Sequence, residues 1–555
     1  MLLELQLDYR SSSQIYEKIF LRTLKSLSLE GTLLREHFTL KLYIQADTTE
    51  ELENFSTHFS SALPHSIFLY DTKATMLEEM PTLSTKLLET TKPPMPYCPT
   101  CLEEATDREH ENYYNIFTAC EVCGYGIEGE KRSYQEEIKK AALSIQKGEI
   151  VELNTFYGKY FVALPNKSCQ KITYDILCYD LATIEKYTYA KKSEITSLGA
   201  MEKPLIKLKK KLNLVMDYED IQADLLRFKL PDDFILFFLM EELHQLDIHL
   251  LYMTKEHVPP DDKLLLIKAT KTLEPIEVVA SENDIAIISG DKGLPKFPIN
   301  AEKVNPPEGS FYSVIKEHHL ENEIVAGIHL SRNYKNNVLI YGKKFGTLEY
   351  LSFEFKFDSM QEIFTNIHNT NETGVKILEN FKKAFPEHYE KISTIVFEKK
   401  VFNLYTLWGI MSIILDFTKT QNIEEAARIL EEGAMSFLGE KGPRIDYKLL
   451  NIKHKIYLDP LMTIRTAMSF KLAGVDQLTL SYGIIESFLE FIANEFDEVK
   501  QNMGVTAITV TGSLLGNRNI FSKMSKEIAI NHTIYFNNEL TVEGKGMFYG
   551  GNSLS

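Results

Sequence analysis

The sequence feature that most constrains this chain is a set of four cysteines, Cys98, Cys101, Cys120 and Cys123. They form two C-x2-C pairs that are separated by 18 residues. Tetrahedral Zn²⁺ binds four thiolates, and each C-x2-C pair turns two of them toward one point. Gly124 follows directly and suits the positive φ of such a turn. The spacing predicts one structural zinc ion per chain with no open position for water; four unrelated buried thiols are the alternative.

Composition and charge indicate a soluble protein of several domains. The chain has 555 residues, of which 44% are hydrophobic and 25% charged. Its net charge of −17 repels the phosphates of nucleic acids, so we do not expect a nucleic-acid partner. A lysine cluster at 207–211 is interpreted as a solvated helix face. The longest apolar runs are too short for a bilayer and no secretory signal is visible, so we expect a cytoplasmic protein whose thiols stay reduced.

Residues 1–90 have the pattern of a small α+β domain. Leu3, Leu5 and Leu7 alternate with polar residues, as in a strand. An apolar stripe at helical spacing follows, and a second alternation is followed by the capping pattern Thr48-x-x-Glu51. With a last strand at 66–70, the predicted order is strand, helix, strand, strand, helix, strand, which is a split βαβ arrangement.

The rest of the chain predicts further α/β regions between proline-containing linkers. Pro93, Pro94 and Pro96 mark a linker before the cysteines. A helix at 134–147 and a strand at 150–153 open the next domain. A second linker is predicted at about 301–310, and the last region is strand-rich at first and then mostly helical, with a late strand at 505–510. The fold class is therefore α+β and α/β multidomain.

These segments together resemble the HypF family, the carbamoyltransferases of [NiFe]-hydrogenase maturation. CPTCLEEATDREHENYYNIFTACEVCG (98–124) resembles the first zinc finger of that family. AALSIQKGEIVELNTFYGKYFVAL (141–164) resembles the opening of its YrdC domain, and 317–345, 404–437 and 510–518 resemble its carbamoyltransferase domain of the TsaD type. The resemblance implies four parts: 1–90 a degenerate acylphosphatase-like domain, 91–132 a single zinc module, 133–300 a YrdC-like domain, and 311–555 the second lobe of a carbamoyltransferase-like domain.

The resemblance also implies residues that contact a nucleotide. Lys203, in the turn Glu202-Lys203-Pro204, resembles the lysine–proline turn of YrdC domains. Gly512 and Asn517 match a glycine-rich turn and an asparagine that meet nucleotide phosphates in the family. ATP is then the second cofactor besides zinc. From the residues alone, the glycine turn also fits an ordinary connection between a strand and a helix.

Several departures from the family pattern affect the predicted chemistry. In the loop Tyr9–Gln14, which corresponds to the phosphate loop of acylphosphatases, Arg10 is out of place. The water-orienting asparagine falls near Arg35 or Glu36. The family's second zinc finger is missing, because no further C-x2-C pair follows Cys123.

The carbamoyltransferase-like region has lost most of the family's metal and nucleotide ligands. The histidine pair of the family is missing near Pro307–Ser310, and Leu330 and Gly409 stand where it has aspartates. Only Glu543 remains as a carboxylate, and one carboxylate cannot hold a catalytic metal. In the YrdC-like region, the bulky turn Thr254–His257 replaces a small one. The first lobe of the carbamoyltransferase domain also lacks a counterpart.

His318 and His319 are adjacent candidates for a replacement metal site. Neighbouring side chains on a strand point to opposite faces, so both cannot reach one ion. We therefore interpret His318 and His319 as surface or helix-capping residues.

Two functions of different classes follow. In the first, the chain is a non-catalytic accessory factor in [NiFe]-hydrogenase maturation that binds other maturation proteins or the hydrogenase large-subunit precursor. In the second, it is an active carbamoyltransferase or adenylating enzyme of the HypF type, which uses carbamoyl phosphate and ATP and supplies the cyanide-ligand precursor. Reuse of the fold outside hydrogenase biology remains a third alternative. The missing catalytic residues favour the first, because a binding surface survives their loss.

Overall fold

The computed structural model describes residues 1–11, 13–80, 96–126, 129–155, 157–165, 173–218, 221, 223–264, 275–290, 305–398 and 402–551. The chain forms two compact units, one of Met1–Val278 with Ser289–Lys296 and one of Val279–Ile288 with Phe297–Ser555. Pro93, Pro94 and Cys169 lie outside the described residues. Among the helices that are described, none is long and apolar enough to cross a membrane.

Unit 1 begins with a four-stranded antiparallel sheet in the order β2-β3-β1-β4. The predicted order of strands and helices is correct, although the last strand begins at Leu69 and continues to Leu77. The side chains of Thr48 and Glu51 form the expected capping box. The elements are β1 (Leu2–Tyr9), α1 (Ile15–Leu27), β2 (Glu30–Glu36), β3 (Thr39–Gln45), α2 (Thr49–Ala62) and β4 (Leu69–Leu77).

The cysteine module and a seven-stranded mixed sheet complete unit 1. The sheet order is β11-β5-β6-β10-β7-β9-β8, in which β5–β11 and β7–β9 are parallel pairs. The elements are α3 (Pro99–Thr106), α4 (Gln135–Gln146), β5 (Val151–Thr155), β6 (Gly158–Ala163), β7 (Asp175–Cys178), α5 (Leu181–Tyr187), α6 (Lys192–Gly199), β8 (Ile206–Lys209), α7 (Leu212–Asp217), β9 (Leu225–Lys229), α8 (Phe234–His244), β10 (Leu250–Thr254) and β11 (Asp262–Leu264).

A two-stranded hairpin of β12 (Glu277–Ala280) and β13 (Ile285–Ser289) contains the boundary between the units. On the side of unit 1, Leu205 bridges to Glu277. On the side of unit 2, Ile287 bridges to Thr541, and the N–H of Val542 donates to the carbonyl of Ile287 at 3.0 Å. The chain therefore contributes a short strand to unit 2 before the main body of that unit begins.

Unit 2 is built on a second seven-stranded sheet in the order β17-β18-β16-β15-β14-β19-β20. Strand β14 is antiparallel to β15 on one side and parallel to β19 on the other. The elements are α9 (Pro306–Glu317), β14 (Val325–His329), β15 (Asn337–Gly342), β16 (Gly346–Ser352), α10 (Met360–Thr370), α11 (Glu372–Ala384), α12 (Pro386–Ser393), α13 (Leu404–Ile414), α14 (Ile423–Ser436), β17 (Leu449–Ile452), β18 (Lys455–Leu458), α15 (Pro460–Leu472), α16 (Gln477–Met503), β19 (Ala507–Thr511), α17 (Arg518–Glu527), β20 (Ile534–Tyr535) and α18 (Lys545–Gly551).

Helix α13 lies at the centre of the core of unit 2, where all of its residues are buried. It carries Trp408, the single tryptophan of the chain, whose Nε1 donates to the hydroxyl of Tyr447 at 3.4 Å. Gly409 brings α13 against the start of α14, because a Cβ at this position would lie 2.1 Å from the carbonyl oxygen of Ile423. The site where the resemblance places a nucleotide-pocket aspartate therefore has no room for a side chain.

Three sequence interpretations are wrong in detail. The linker predicted to reach residue 310 gives way to helix α9 at Pro306, since proline is favoured in the first turn of a helix. His318 and His319 lie at the C-terminal end of α9 and not on a strand. The lysine cluster at 207–211 begins on strand β8 and not on a helix.

We predict that Gly409→Ala lowers the free energy of unfolding of unit 2 by about 1–3 kcal/mol, because the added methyl group forces α13 away from α14. Urea unfolding followed by the fluorescence of Trp408 measures this. The matched control is Gly433→Ala on α14, where the nearest atom to an added Cβ is the side-chain oxygen of Ser481 at 3.1 Å. Equal unfolding free energies for the two variants would contradict the packing argument.

Candidate functional site

The four cysteines converge on one point in unit 1. The Sγ atom of Cys101 lies 3.5 Å from that of Cys98 and 3.6 Å from that of Cys123, and the Sγ atoms of Cys98 and Cys120 are 3.9 Å apart. All four sulfurs lie within 4.8 Å of one another. Zn–S bonds of about 2.3 Å in a tetrahedron require sulfur separations of about 3.8 Å. The donor set therefore fits a single thiophilic ion, and it is the only such group of ligands among the described residues.

Backbone geometry presents the thiolates to that point. Cys98 precedes helix α3, and its N–H donates to the Sγ atom of Cys101 at 3.0 Å. The N–H of Tyr125 donates to the Sγ atom of Cys123 at 3.4 Å. Gly124 has a φ of 75°, as the sequence predicted for the turn after the second pair. Such N–H donors stabilise the negative charge of sulfur, so the module is prepared for metal binding.

Three tyrosines attach the cysteine module to helix α8. Tyr97 stacks on Phe234 with ring centroids 4.8 Å apart, and the hydroxyl of Tyr125 accepts from the N–H of Phe234 at 3.1 Å. Tyr114 donates to the buried carboxylate of Glu242 at 2.7 Å. The cysteine module is thus held against helix α8 by aromatic packing and by hydrogen bonds.

In the glycine turn after β19 in unit 2, the N–H groups from Gly512 to Leu515 all donate to acceptors inside the protein. The N–H of Gly512 donates to the carbonyl of Val542, and that of Ser513 to the carboxylate of Glu543, both at 2.9 Å. The next two N–H groups, of Leu514 and Leu515, donate to the carbonyls of Leu330 and Gly512. Gly512 itself is required for packing, because a Cβ there would lie 2.2 Å from the carbonyl oxygen of Leu330. A carboxylate of the protein occupies the place in which a phosphate would accept from the turn.

Charged side chains close the turn from the other side. The guanidinium of Arg332 donates to both carboxylate oxygens of Glu431, at 2.6 and 3.2 Å, and also to the carbonyl of Ser513. Asn517 is buried and caps helix α17, since its side chain accepts from the N–H groups of the first helical turn. The two residues predicted to contact a nucleotide, Gly512 and Asn517, are therefore both engaged in holding the local fold.

A buried histidine lies beside Glu543. The Nδ1 atom of His329 is 3.0 Å from the hydroxyl of Thr511, and its Nε2 atom is 4.0 Å from the carboxylate of Glu543. Burial lowers the pKa of His329 to about 3, so the ring is neutral at physiological pH. Because His329 and Glu543 are only two ligands, they do not make up the metal site of the family.

In the first domain of unit 1, an arginine from strand β2 contacts the loop after β1, for which the resemblance implies a phosphate-binding role. Arg35 donates to the carbonyls of Ser11 and Ser13, at 2.6 and 3.1 Å, and pairs with the buried carboxylate of Glu17. Arg10 pairs instead with Asp8, at 3.1 Å. The loop therefore turns carbonyl groups toward an internal cation and has no cation free for a phosphate.

The second sheet of unit 1 carries a cavity of about 270 Å³. Among the described residues, its charged lining consists of Asp175, Glu256 and Glu277 with Arg227 and Lys255, and Arg227 is paired with Asp175 at 2.6 Å. Lys203, the predicted nucleotide ligand, is not part of that lining. Its ammonium donates to the carbonyl of Gly199 at 3.4 Å, and burial lowers its pKa.

Sequence reasoning did not find Arg35 as the residue that fills the loop, nor Arg332 as the one that closes the turn. Arg35 and Arg332 both bond to residues that are distant in the sequence, so no local sequence pattern predicts these contacts. The available signal was weak: Arg35 stands near the expected position of a catalytic asparagine, and Arg332 follows shortly after Leu330.

Comparison with known proteins shows which fold these sites belong to. No family model matches the chain. The chain is 26% identical to the protein HydE of Wolinella succinogenes over 537 residues, which cover 91% of this chain and 95% of that protein.

Two solved structures of HypF are similar over nearly the whole chain. The full-length HypF in a phosphate- and nucleotide-bound form has a TM-score of 0.65 at 14% identity, with 99% of this chain and 98% of that chain covered. HypF of T. kodakarensis has a TM-score of 0.68 at 12% identity, with 100% and 97% covered. The chain therefore has the mixed α/β multidomain fold of HypF.

We predict about one zinc ion per purified chain. The double substitution Cys98→Ser and Cys120→Ser should abolish it, since two thiolates on different C-x2-C pairs are lost. Elemental analysis of the protein after dialysis measures the stoichiometry. Cys178→Ala, a substitution on strand β7, is the control that should retain the ion. A second zinc equivalent in the wild type would show that the missing finger was misread.

We predict that acid destabilises unit 2 through His329. The unfolded chain binds a proton below the ordinary histidine pKa of about 6.5, but the folded chain does not until about pH 3. Stability should therefore fall as pH drops from about 6.5, by up to about 1.4 kcal/mol per pH unit. His329→Asn should reduce this slope in urea unfolding followed by Trp408, whereas His368→Asn, on the exposed face of α10, should leave it unchanged. Equal slopes for the wild type and His329→Asn would contradict the assignment.

Proposed function

We propose that this protein is a non-catalytic accessory factor in [NiFe]-hydrogenase maturation that keeps the HypF fold as a binding scaffold. Within it, 1–90 corresponds to the acylphosphatase-like domain, 91–132 to the zinc module, 133–300 to the YrdC-like domain and 311–555 to the second carbamoyltransferase lobe. The similarity to HypF structures and to HydE supports a place in the hydrogenase machinery.

The observation that carries the proposal is the closed glycine turn. Every N–H from Gly512 to Leu515 has an acceptor inside the protein, and the carboxylate of Glu543 takes the place of an anionic ligand. A phosphate of ATP bound at this turn would displace the carboxylate of Glu543 and the carbonyls that now accept there, and each buried acceptor left without a donor costs about 1–3 kcal/mol. The filled acylphosphatase loop, with Arg35 bonded to its carbonyls, supports the same conclusion for a second family site.

The zinc module has a structural role in this proposal. The four thiolates would hold a zinc ion in a tetrahedral site, which would leave no position open for water or substrate. The ion joins the segment at 98–123 into one unit, whose tyrosines pack on helix α8. The proposed partners are other hydrogenase maturation proteins or the large-subunit precursor, and the proposed location is the cytoplasm, where free thiolates remain available to zinc.

The first test is carbamoyl-phosphate-dependent cleavage of ATP to AMP and pyrophosphate. We expect no turnover from folded, zinc-loaded protein, because its turn and loop offer no phosphate contacts. HypF of T. kodakarensis, assayed in parallel, is the positive control. Turnover above the rate without enzyme would overturn the scaffold proposal and favour the active-enzyme alternative.

The second test addresses the biological role. Deletion of the gene should lower hydrogenase activity in the host, and the wild-type gene supplied in trans should restore it. A gene with Cys98→Ser and Cys120→Ser should fail to restore it, whereas the Cys178→Ala gene should succeed. Normal hydrogenase activity in the deletion strain would remove the maturation role.

A further inference from the structure

One edge of the large sheet in unit 2 exposes apolar side chains. Strand β17 is the terminal strand of that sheet, and it pairs only with β18 among the described strands. Leu449, Leu450 and Ile452 are exposed by 36%, 38% and 51%. An exposed apolar edge strand is a template for pairing with another extended segment, and proteins usually shorten, charge or cover such an edge.

The backbone register shows which groups this edge offers. β17 and β18 form a two-residue hairpin, with Ile452 paired to Lys455 across the turn. In such a hairpin the closing pair exchanges both backbone hydrogen bonds, and bonded and non-bonded pairs alternate from there. Leu450 therefore bonds to β18, whereas the N–H and C=O groups of Asn451 and Leu449 point outward. An added strand would form its backbone hydrogen bonds with these two residues.

The charge around this edge is opposite in sign to that of the whole chain. Residues 447–458 contain Lys448, Lys453 and Lys455 and no acidic residue, although the chain carries a net charge of −17. In the part of the chain that the structure describes, these three lysines are exposed and form no ion pair. Positive charge here attracts an acidic partner, and it repels a second copy of the same edge.

The two residues in the turn of the hairpin, Lys453 and His454, have a strained backbone conformation. Lys453 and His454 have φ angles of 52° and 65°, in the left-handed region that asparagine and glycine normally occupy in this kind of turn. The hairpin thus presents a lysine and a histidine at a position where glycine would be less strained.

We propose that the outer edge of β17 is a docking site for an extended segment of a partner protein in which apolar and acidic residues alternate. The segment adds to the sheet as one more strand. Its backbone bonds to Asn451 and Leu449, its carboxylates lie on the face of the sheet that carries Lys448 and Lys455, and its apolar side chains lie on the opposite face beside Leu449. This mode of recognition combines main-chain affinity with side-chain specificity. The proposal does not depend on a role in hydrogenase maturation.

A labelled short peptide in which valine and glutamate alternate is the probe, and fluorescence anisotropy with the full chain measures its binding. Asn451→Pro removes one outward N–H, whereas the control Asn451→Thr retains it. We expect the proline variant to bind the peptide about tenfold more weakly than the threonine variant, as the loss of a backbone hydrogen bond implies. Unchanged Trp408 fluorescence verifies that unit 2 is folded. If Asn451→Pro fails this check, Leu449→Pro and Leu449→Thr form the replacement pair.

The charge requirement is tested separately. A peptide in which valine and lysine alternate should bind at least about tenfold more weakly, and added salt should weaken binding of the glutamate peptide. Replacement of Lys448, Lys453 and Lys455 by glutamate should reverse the preference between the two peptides. Absence of glutamate-peptide binding at millimolar concentration, equal affinity of the proline and threonine variants, or equal affinity for the two peptides would each overturn the proposal. A wild-type dimer in sedimentation that Asn451→Pro abolishes would assign the edge to a second copy and would also overturn it.

Discussion

A backbone N–H in a tight turn needs an acceptor, and the identity of that acceptor decides what the turn can do. At the turn after β19, the acceptors are the carbonyls of Leu330, Gly512 and Val542 and the carboxylate of Glu543. A bound nucleotide would have to displace them, and each displaced buried group would lose its partner. The edge of β17 is the opposite case, since the outward groups of Asn451 and Leu449 are bonded to no other described strand. The glycine turn is therefore closed to a ligand because its N–H groups have internal acceptors, whereas the edge of β17 is open because its outward groups do not pair with a described strand.

At positions where the sequence lacks the ligand-binding residues that the resemblance implies, the structure has other internal contacts. Arg35 donates to the carbonyls of a loop whose counterpart in the resembling family binds phosphate, and Arg332 joins Glu431 to the glycine turn. Gly409 allows α13 to contact α14 where an aspartate would not fit. These residues fill positions where the resemblance implies ligands, so the proposed scaffold keeps the fold without those ligands. A fold can therefore be retained without the catalytic activity that the same fold has in another protein.

The sequence predicted the structure correctly where the contacts that determine it are between residues close together in the chain. The C-x2-C pairs predicted converging thiolates, because two ligands from each short turn are enough to define the site. The alternation at Leu3, Leu5 and Leu7 and the cap at Thr48 located the first strand and the second helix. The sequence was insufficient where contacts are distant, as between Ser513 and Glu543. It was also ambiguous at Pro306, since proline suits both a linker and the first turn of a helix.

The hairpin that contains the boundary between the units has a consequence for synthesis of the chain. Ile287 completes its bonding only with Thr541 and Val542, about 250 residues later. At about 5–20 residues per second, a ribosome needs roughly 10–50 s to make that stretch. During this interval β13 has emerged but cannot form these bonds, so unit 2 cannot finish folding before Thr541 and Val542 are made. A chain that terminates before Thr541 would therefore leave β13 without this partner, more than 250 residues upstream.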